Sequence, residues 1–226
     1  MTSWGETSLT DQFRVLTVCT GNMHRSPLAA SLLGMWAHWY LDESVSSLVL
    51  VESAGTDAVV GAPMGEFTGQ IARALGADGS QHRAHALTDD AATDADLILT
   101  ATVRQRDQVV ARVPSTLRRA FTMREAGRAA QATTIPSTPR SVDDLRHRVG
   151  MLARHRSRGA DNIVDPQGQS EDVFMQMAAE EVSALAHVAR SLLGMPEAEE
   201  LEYTRATGDP ATLRSLIMRS AGEGRM

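Results

Sequence analysis

Short apolar blocks alternate along this chain with longer stretches in which apolar positions recur every three or four residues. Phe13–Cys19 (Phe-Arg-Val-Leu-Thr-Val-Cys) is the first block and predicts a buried strand. Ser26 to about Asp42 predicts the first helix, opened by Pro27-Leu28-Ala29-Ala30-Ser31-Leu32-Leu33 with proline in its first turn. Trp36, Trp39 and Tyr40 fall late in that helix and read as packing groups. Ser47–Glu52 predicts a second strand, ending in Ser53-Ala54-Gly55-Thr56. Helical spacing returns from Glu66 to Leu75 and stops at Gly76. Asp96–Thr100 is a third strand, after which Thr102 caps a helix that runs through Arg112 and is closed by Pro114. Arg119–Thr122 predicts a short fourth strand. From Glu171 to Leu193, Val173, Met177, Val182, Leu185, Val188 and Leu192 lie near one helical face, and Gly194 ends the pattern. Strands separated by helices imply an α/β fold, a parallel sheet covered on both faces. In such sheets the first strand-to-helix turn is a place for ligands.

Two segments stand apart from this pattern. Residues 126–160 are rich in Ala, Ser, Thr and Arg, with Pro136 and Pro139 in a loop before a helix at Val142–His155. Arg146, His147, Arg148, Arg154, His155, Arg156 and Arg158 make this stretch basic, and a solvated helix face is the default reading. The tail from Met195 is first acidic, then mixed, with a short amphipathic helix at Pro210–Met218. The expected organisation is an arm at 1–12, a main domain at 13–194 carrying a basic helical insert at 126–160, and a C-terminal extension at 195–226.

Composition narrows the setting. The chain has 226 residues and a net charge of −6, which argues against a general nucleic-acid binder. All 22 of its basic residues are arginine, so arginine clusters carry less meaning than usual. No apolar run is long enough to span a bilayer, and residues 1–12 lack the charged and apolar regions of a signal peptide. One cysteine excludes an internal disulfide and makes a reducing cytoplasm the expected location.

That cysteine is also the centre of the chemistry. In Val18-Cys19-Thr20-Gly21-Asn22-Met23-His24-Arg25-Ser26-Pro27, a thiol ends a strand and an arginine and a hydroxyl begin a helix. A strand–loop–helix turn of this kind presents successive backbone N–H groups and a positive helix end to one point, where a phosphate-sized oxyanion fits. The amides and Arg25 favour the thiolate form of Cys19. The planar fork of Arg25 can hold two phosphoryl oxygens, which a lysine cannot copy. Gly21 allows close approach to the anion, and Asn22 tolerates a left-handed conformation. Ser26 can donate a hydrogen bond to the sulfur. A thiol of this kind also needs a proton donor for its leaving group. Asp165, in Asn162-Ile163-Val164-Asp165-Pro166, is the candidate, its direction restricted by Pro166. An ordinary Asp-Pro turn is the competing reading, and Asp161 and Asp172 are the next carboxylates.

The cysteine loop resembles the phosphate loop of the low-molecular-weight protein tyrosine phosphatase family. Further landmarks stand in the family's order: Ser53-Ala54-Gly55-Thr56, His82-Arg83-Ala84-His85-Ala86-Leu87-Thr88, Asp96-Leu97-Ile98-Leu99 and Val164-Asp165-Pro166. The resemblance covers roughly residues 13–125 and 160–194. It implies a flavodoxin-like three-layer sandwich with a four-stranded parallel sheet. It also implies Cys19 as nucleophile, Arg25 as phosphate and transition-state binder, and Asp165 as general acid and then base. Thr20, Gly21, Asn22, Met23, His24 and Ser26 would surround the phosphate, with Ser26 also stabilising the sulfur. Asn22, Ser53 and His82 would hold the loop in shape. Two departures stand out. His24 occupies a position where many relatives carry a second cysteine, and neither Asp57-Ala58-Val59-Val60 nor Gln167-Gly168-Gln169 contains an aromatic residue to hold a phenyl ring.

The expected function is a cofactor-free, metal-independent phosphomonoesterase acting through a cysteinyl-phosphate intermediate on a phosphorylated protein or a small phosphomonoester. Three alternatives remain: a small-molecule phosphatase with the same residues, an arsenate reductase using an external thiol, and a non-catalytic phosphate-binding module. Nothing in the pattern speaks to oligomeric state.

Overall fold

The computed structural model describes residues 12–133, 138–159 and 161–223. Residues 1–11 of the expected arm and Pro136 of the expected loop lie outside these. Four strands form one parallel sheet: β1 (Phe13–Cys19), β2 (Val49–Gly55), β3 (Leu97–Thr100) and β4 (Ala120–Thr122), in the order β2-β1-β3-β4. Between and after them run α1 (Arg25–Tyr40), α2 (Glu43–Ser46), α3 (Glu66–Ala74), α4 (Asp89–Asp94), α5 (Val103–Arg112), α6 (Met123–Gln131), α7 (Val142–Arg154), α8 (Glu171–Leu193), α9 (Glu197–Gly208) and α10 (Pro210–Glu223).

The alternation of side chains across β1 and β3 divides the core. Val15, Cys19, Leu97 and Leu99 face a large cluster that includes Leu28, Leu32 and Trp36 of α1 and Val182, Leu185 and Ala189 of α8. Leu16, Val18 and Ile98 face a smaller one closed by Ala92 of α4 and Val109 of α5. The result is the three-layer α/β sandwich expected. β2 is shifted from the predicted Ser47–Glu52 because it pairs with β1 along its full length, from Phe13 opposite Val49 to Cys19 opposite Gly55. Thr102 caps α5 as predicted, in a reciprocal box with Gln105.

Residues 126–131 correct the expectation that everything from 126 to 160 stands outside the core. They lie in α6, where Ala126, Gly127, Ala129 and Ala130 are buried. A Cβ on Gly127 would come within 2.9 Å of the Ala184 backbone, so α6 and α8 touch through small residues. Alanine and glycine give little hydrophobic signal, and the contact is therefore weak in sequence. The basic face of α7 needs a second correction. Arg148 is buried and donates to the Ser191 and Leu192 carbonyls at the C-terminal end of α8, where a cation is favoured. Arg146 is tied to Asp96 and to the Gln12 carbonyl. The tail folds back as two helices. Tyr203 of α9 meets Trp36 edge-on at 4.9 Å between ring centroids, and Leu213 and Ile217 of α10 are buried.

Candidate active site

The strand-to-helix turn after β1 carries Thr20 to His24, and hydrogen bonds fix its shape. The carbonyls of Cys19, Thr20, Gly21 and Met23 accept from the amides of Thr56, Asp57, Val59 and Gly65. The Asn22 carbonyl accepts from His82 Nε2 at 2.8 Å. With every carbonyl of the turn drawn outward, none of the backbone N–H groups of Thr20 to Ser26 has an acceptor among the described residues. A run of unpaired amides at the start of a helix is an anion-binding concavity.

Asn22 makes this possible. It adopts the left-handed conformation at φ 56°, the one non-glycine residue to do so among the described residues. Its side chain repays the strain: Nδ2 donates to Ser26 Oγ and Ser53 Oγ, each at 2.9 Å, and Oδ1 accepts from the His85 amide at 2.8 Å. Gly55 is required at the end of β2, since a Cβ there would lie 2.4 Å from the Thr20 carbonyl oxygen. Ser26 Oγ stands 3.0 Å from the buried Cys19 Sγ, in position to donate to a thiolate. Gln105 Nε2 donates to Thr20 Oγ1 at 3.1 Å, tying α5 to the turn.

Asp165 reaches the turn from the far end of the chain. The Ile163 amide donates to the Ala101 carbonyl and the Val164 amide to Glu180 Oε2, so the approach is anchored at the C-terminal end of β3 and on α8. Arg25 is buried, and its Nη2 donates to Asp165 Oδ2 at 2.5 Å while Nη1 donates to the Ile163 carbonyl at 3.4 Å. Asp161 and Asp172 are instead paired with Arg128 and Arg214. Cys19, Arg25, Ser26 and Asp165 are therefore joined through direct contacts and one helix turn. His24 is the exception among the loop residues. Its ring is bonded to Thr68 and Gln167, leaving its backbone N–H as its unpaired donor.

A profile of the low molecular weight phosphotyrosine protein phosphatase family matches residues 14–136 of this chain. The chain belongs to that family. A probable low molecular weight protein-tyrosine-phosphatase of Ralstonia solanacearum is 37% identical over 101 residues, which are 45% of this chain and 63% of that protein. A protein-arginine-phosphatase of Geobacillus stearothermophilus is 30% identical over 113 residues, 50% of this chain and 70% of that one. In three dimensions, the Geobacillus stearothermophilus arginine phosphatase aligns with a TM-score of 0.56 at 25% identity, covering 84% of this chain and 96% of its own. A tyrosine phosphatase of Erwinia amylovora aligns with a TM-score of 0.56 at 23% identity, covering 79% and 92%. The family fold is thus shared over most of this phosphatase-family chain, while close sequence kinship stops short of two thirds of the Ralstonia protein.

Several residues at the site are invisible to sequence reasoning. Phe174 packs edge-on against both His24 and Phe67, at 5.2 and 5.4 Å between centroids, so aromatic groups do flank the turn, from α3 and α8. Val59 and Val60, in the loop after β2, are 58% and 70% exposed. Glu181 of α8 is fully buried behind Arg25, and neither carboxylate oxygen has a hydrogen-bond partner of good geometry among the described residues. Burial drives its carboxyl well above the ordinary value of 4.5; Arg25 and the Ala29 amide pull it back only in part. Its position carried a signal: Glu181 stands four residues from both Met177 and Leu185, on the apolar face of the helix, whereas Glu180 falls to one side of it. Gln105 also had a signal, as the third residue after a Thr cap.

Proposed function

We propose that this protein is a phosphatase acting on phosphorylated side chains of proteins, through a phosphocysteine intermediate. The observation that carries the reading is the turn from Thr20 to Ser26, whose backbone N–H groups have no acceptor among the described residues and stand beside the Cys19 thiol and the Arg25 fork. Arriving phosphoryl oxygens take the amides and the Arg25 guanidinium, displacing Asp165 from Arg25 toward the leaving group. Cys19 Sγ forms a bond to phosphorus in line with the departing atom, which leaves with the proton of Asp165. The Asp165 carboxylate then takes a proton from water as that water attacks phosphorus. Phosphate departs and the Cys19 thiolate is restored, held by the Ser26 hydroxyl. A free thiol of this kind suits a reducing, cytoplasmic setting, and no described helix is long and apolar enough to cross a membrane.

Phosphotyrosine is the substrate that the family suggests. Phosphoarginine is the second reading. It is favoured by the aliphatic Val59 and Val60 at the rim, by loops without aromatic residues, and by the relative named as a protein-arginine-phosphatase.

One panel tests both: phosphotyrosine peptide, phosphoarginine peptide, phosphorylated sugars and nucleotides, and arsenate with a small thiol. Turnover is expected on at least one phosphopeptide, lost in Cys19→Ser while phosphate still binds. Asp165→Asn is expected to slow poor leaving groups by about 10²–10⁴ and activated esters by far less. No phosphopeptide turnover, or substantial turnover by Cys19→Ser, would overturn the reading.

A further inference from the structure

His24 lies in the phosphate loop, yet its ring contacts three other parts of the molecule. Thr68 of α3 is fully buried, and its Oγ1 lies 2.8 Å from His24 Nδ1. Gln167 Oε1 lies 2.9 Å from Nε2. The ring stands edge-on to Phe174 of α8, with 87° between planes. Gly65, just before α3, leaves room for it: a Cβ there would lie 2.1 Å from His24 Cε1. Burial lowers the pKa of this imidazole below its usual 6.5, so the ring is neutral at neutral pH. With the Gln167 amide oxygen facing Nε2, the neutral ring donates Nε2–H to Oε1, and Nδ1 accepts from the Thr68 hydroxyl.

Gln167 is the informative partner. Its side chain holds His24, while its backbone N–H donates to Asp165 Oδ1 at 3.2 Å. The Gln169 amide bonds back to the Pro166 carbonyl, and Gly168 supplies the left-handed residue at φ 72°, so residues 165–169 form one tight turn. Apart from the buried Pro166 that turn is exposed, and the His24–Gln167 bond is a side-chain link from it to the phosphate loop. Without the link, the side-chain contact that remains between this turn and the phosphate loop is that of Asp165 with Arg25, which the substrate must take over.

We propose that His24 and Gln167 are a positioning pair that keeps Asp165 directed at the leaving group once the phosphoryl group has claimed Arg25. This rests on Asp165 being the general acid. Neither residue of the pair need touch the substrate through its side chain; the pair acts through the carboxylate that Gln167 holds.

The test uses the full chain and a series of aryl and alkyl phosphates graded by leaving-group pKa. His24→Ala and Gln167→Ala are each expected to lower kcat about tenfold or more for the poorest leaving groups and less than about threefold for nitrophenyl esters, with inhibition by inorganic phosphate unchanged. Gln167→Ala alters an exposed residue and guards against a folding defect in His24→Ala. The double variant is expected to lose no more than either single one, since both break the same link. His24→Gln, whose Nε2 can reach Gln167 Oε1, is expected to recover most of the rate. Equal losses across the series, weaker phosphate binding in parallel, or multiplied losses in the double variant would overturn the pair. The two levels separate cleanly. A leaving-group effect in Asp165→Asn without one in His24→Ala rejects only the pair, whereas no effect in Asp165→Asn rejects the acid itself.

Discussion

At the scale of single residues, the turn after β1 owes its shape to a few side chains. Asn22 is held in a conformation that costs most side chains about 1–2 kcal/mol, and three side-chain hydrogen bonds over-determine it. Asn22→Ala is expected to reduce both phosphate affinity and turnover, because the turn loses its shape. A phosphate titration on the variant checks this. Glu181 is the opposite case, a buried acid that lacks good partners. Its carboxyl is raised by burial, so it contributes fully to stability only below its unfolded value near 4.5, and that contribution is lost as pH rises toward its folded value. Glu181→Met is expected to stabilise the protein by about 1–3 kcal/mol, with a gain that grows between pH 5 and 8. Denaturant midpoints of the two proteins across that range decide it, and a gain that stays flat with pH would show the carboxyl already ionised in the fold.

At the scale of elements, two helix glycines make opposite demands. A Cβ on Gly127 in α6 would press on the Ala184 backbone of α8, while a Cβ on Gly150 in α7 would meet nothing within 4 Å. Gly127→Ala is expected to destabilise by about 1–3 kcal/mol through overpacking. Gly150→Ala is expected to stabilise by about 0.5–1 kcal/mol, through better helix propensity alone. Thermal melts of both variants test the pair together, since the same substitution in the same kind of element must change sign. The tail helices belong to the same calculation. Leu213 is fully buried, and Leu213→Ala is expected to cost about 2–5 kcal/mol, far beyond what a loosely attached tail would show.

At the scale of the whole molecule, the titrating histidines set a pH limit. His24 and His82 both have pKa values lowered by burial, so each contributes stability that is complete above about pH 6.5 and lost as pH falls toward the folded values. His82→Gln, which can keep a donor to the Asn22 carbonyl, is expected to flatten the loss of stability between pH 7 and 5. An unchanged slope would assign that loss to other groups. The same scale separates what was readable in the chain from what was not. The strands, the capped helix after Thr102, the long helix to Leu193 and the thiol–arginine turn could all be read in sequence. Each is a local pattern of apolar spacing, cap or turn, and such patterns are written in consecutive residues. The contact of α6 with α8, the burial of Arg148, the aromatic flank from Phe67 and Phe174, and the link from His24 to Gln167 were decided only by tertiary structure. These join residues up to 143 positions apart, and alanine, arginine and glutamine look the same in sequence whether they face water or another helix. The chain specified the thiol–arginine turn by itself; which groups meet it depended on how the distant turn at Asp165 folds back over the first loop.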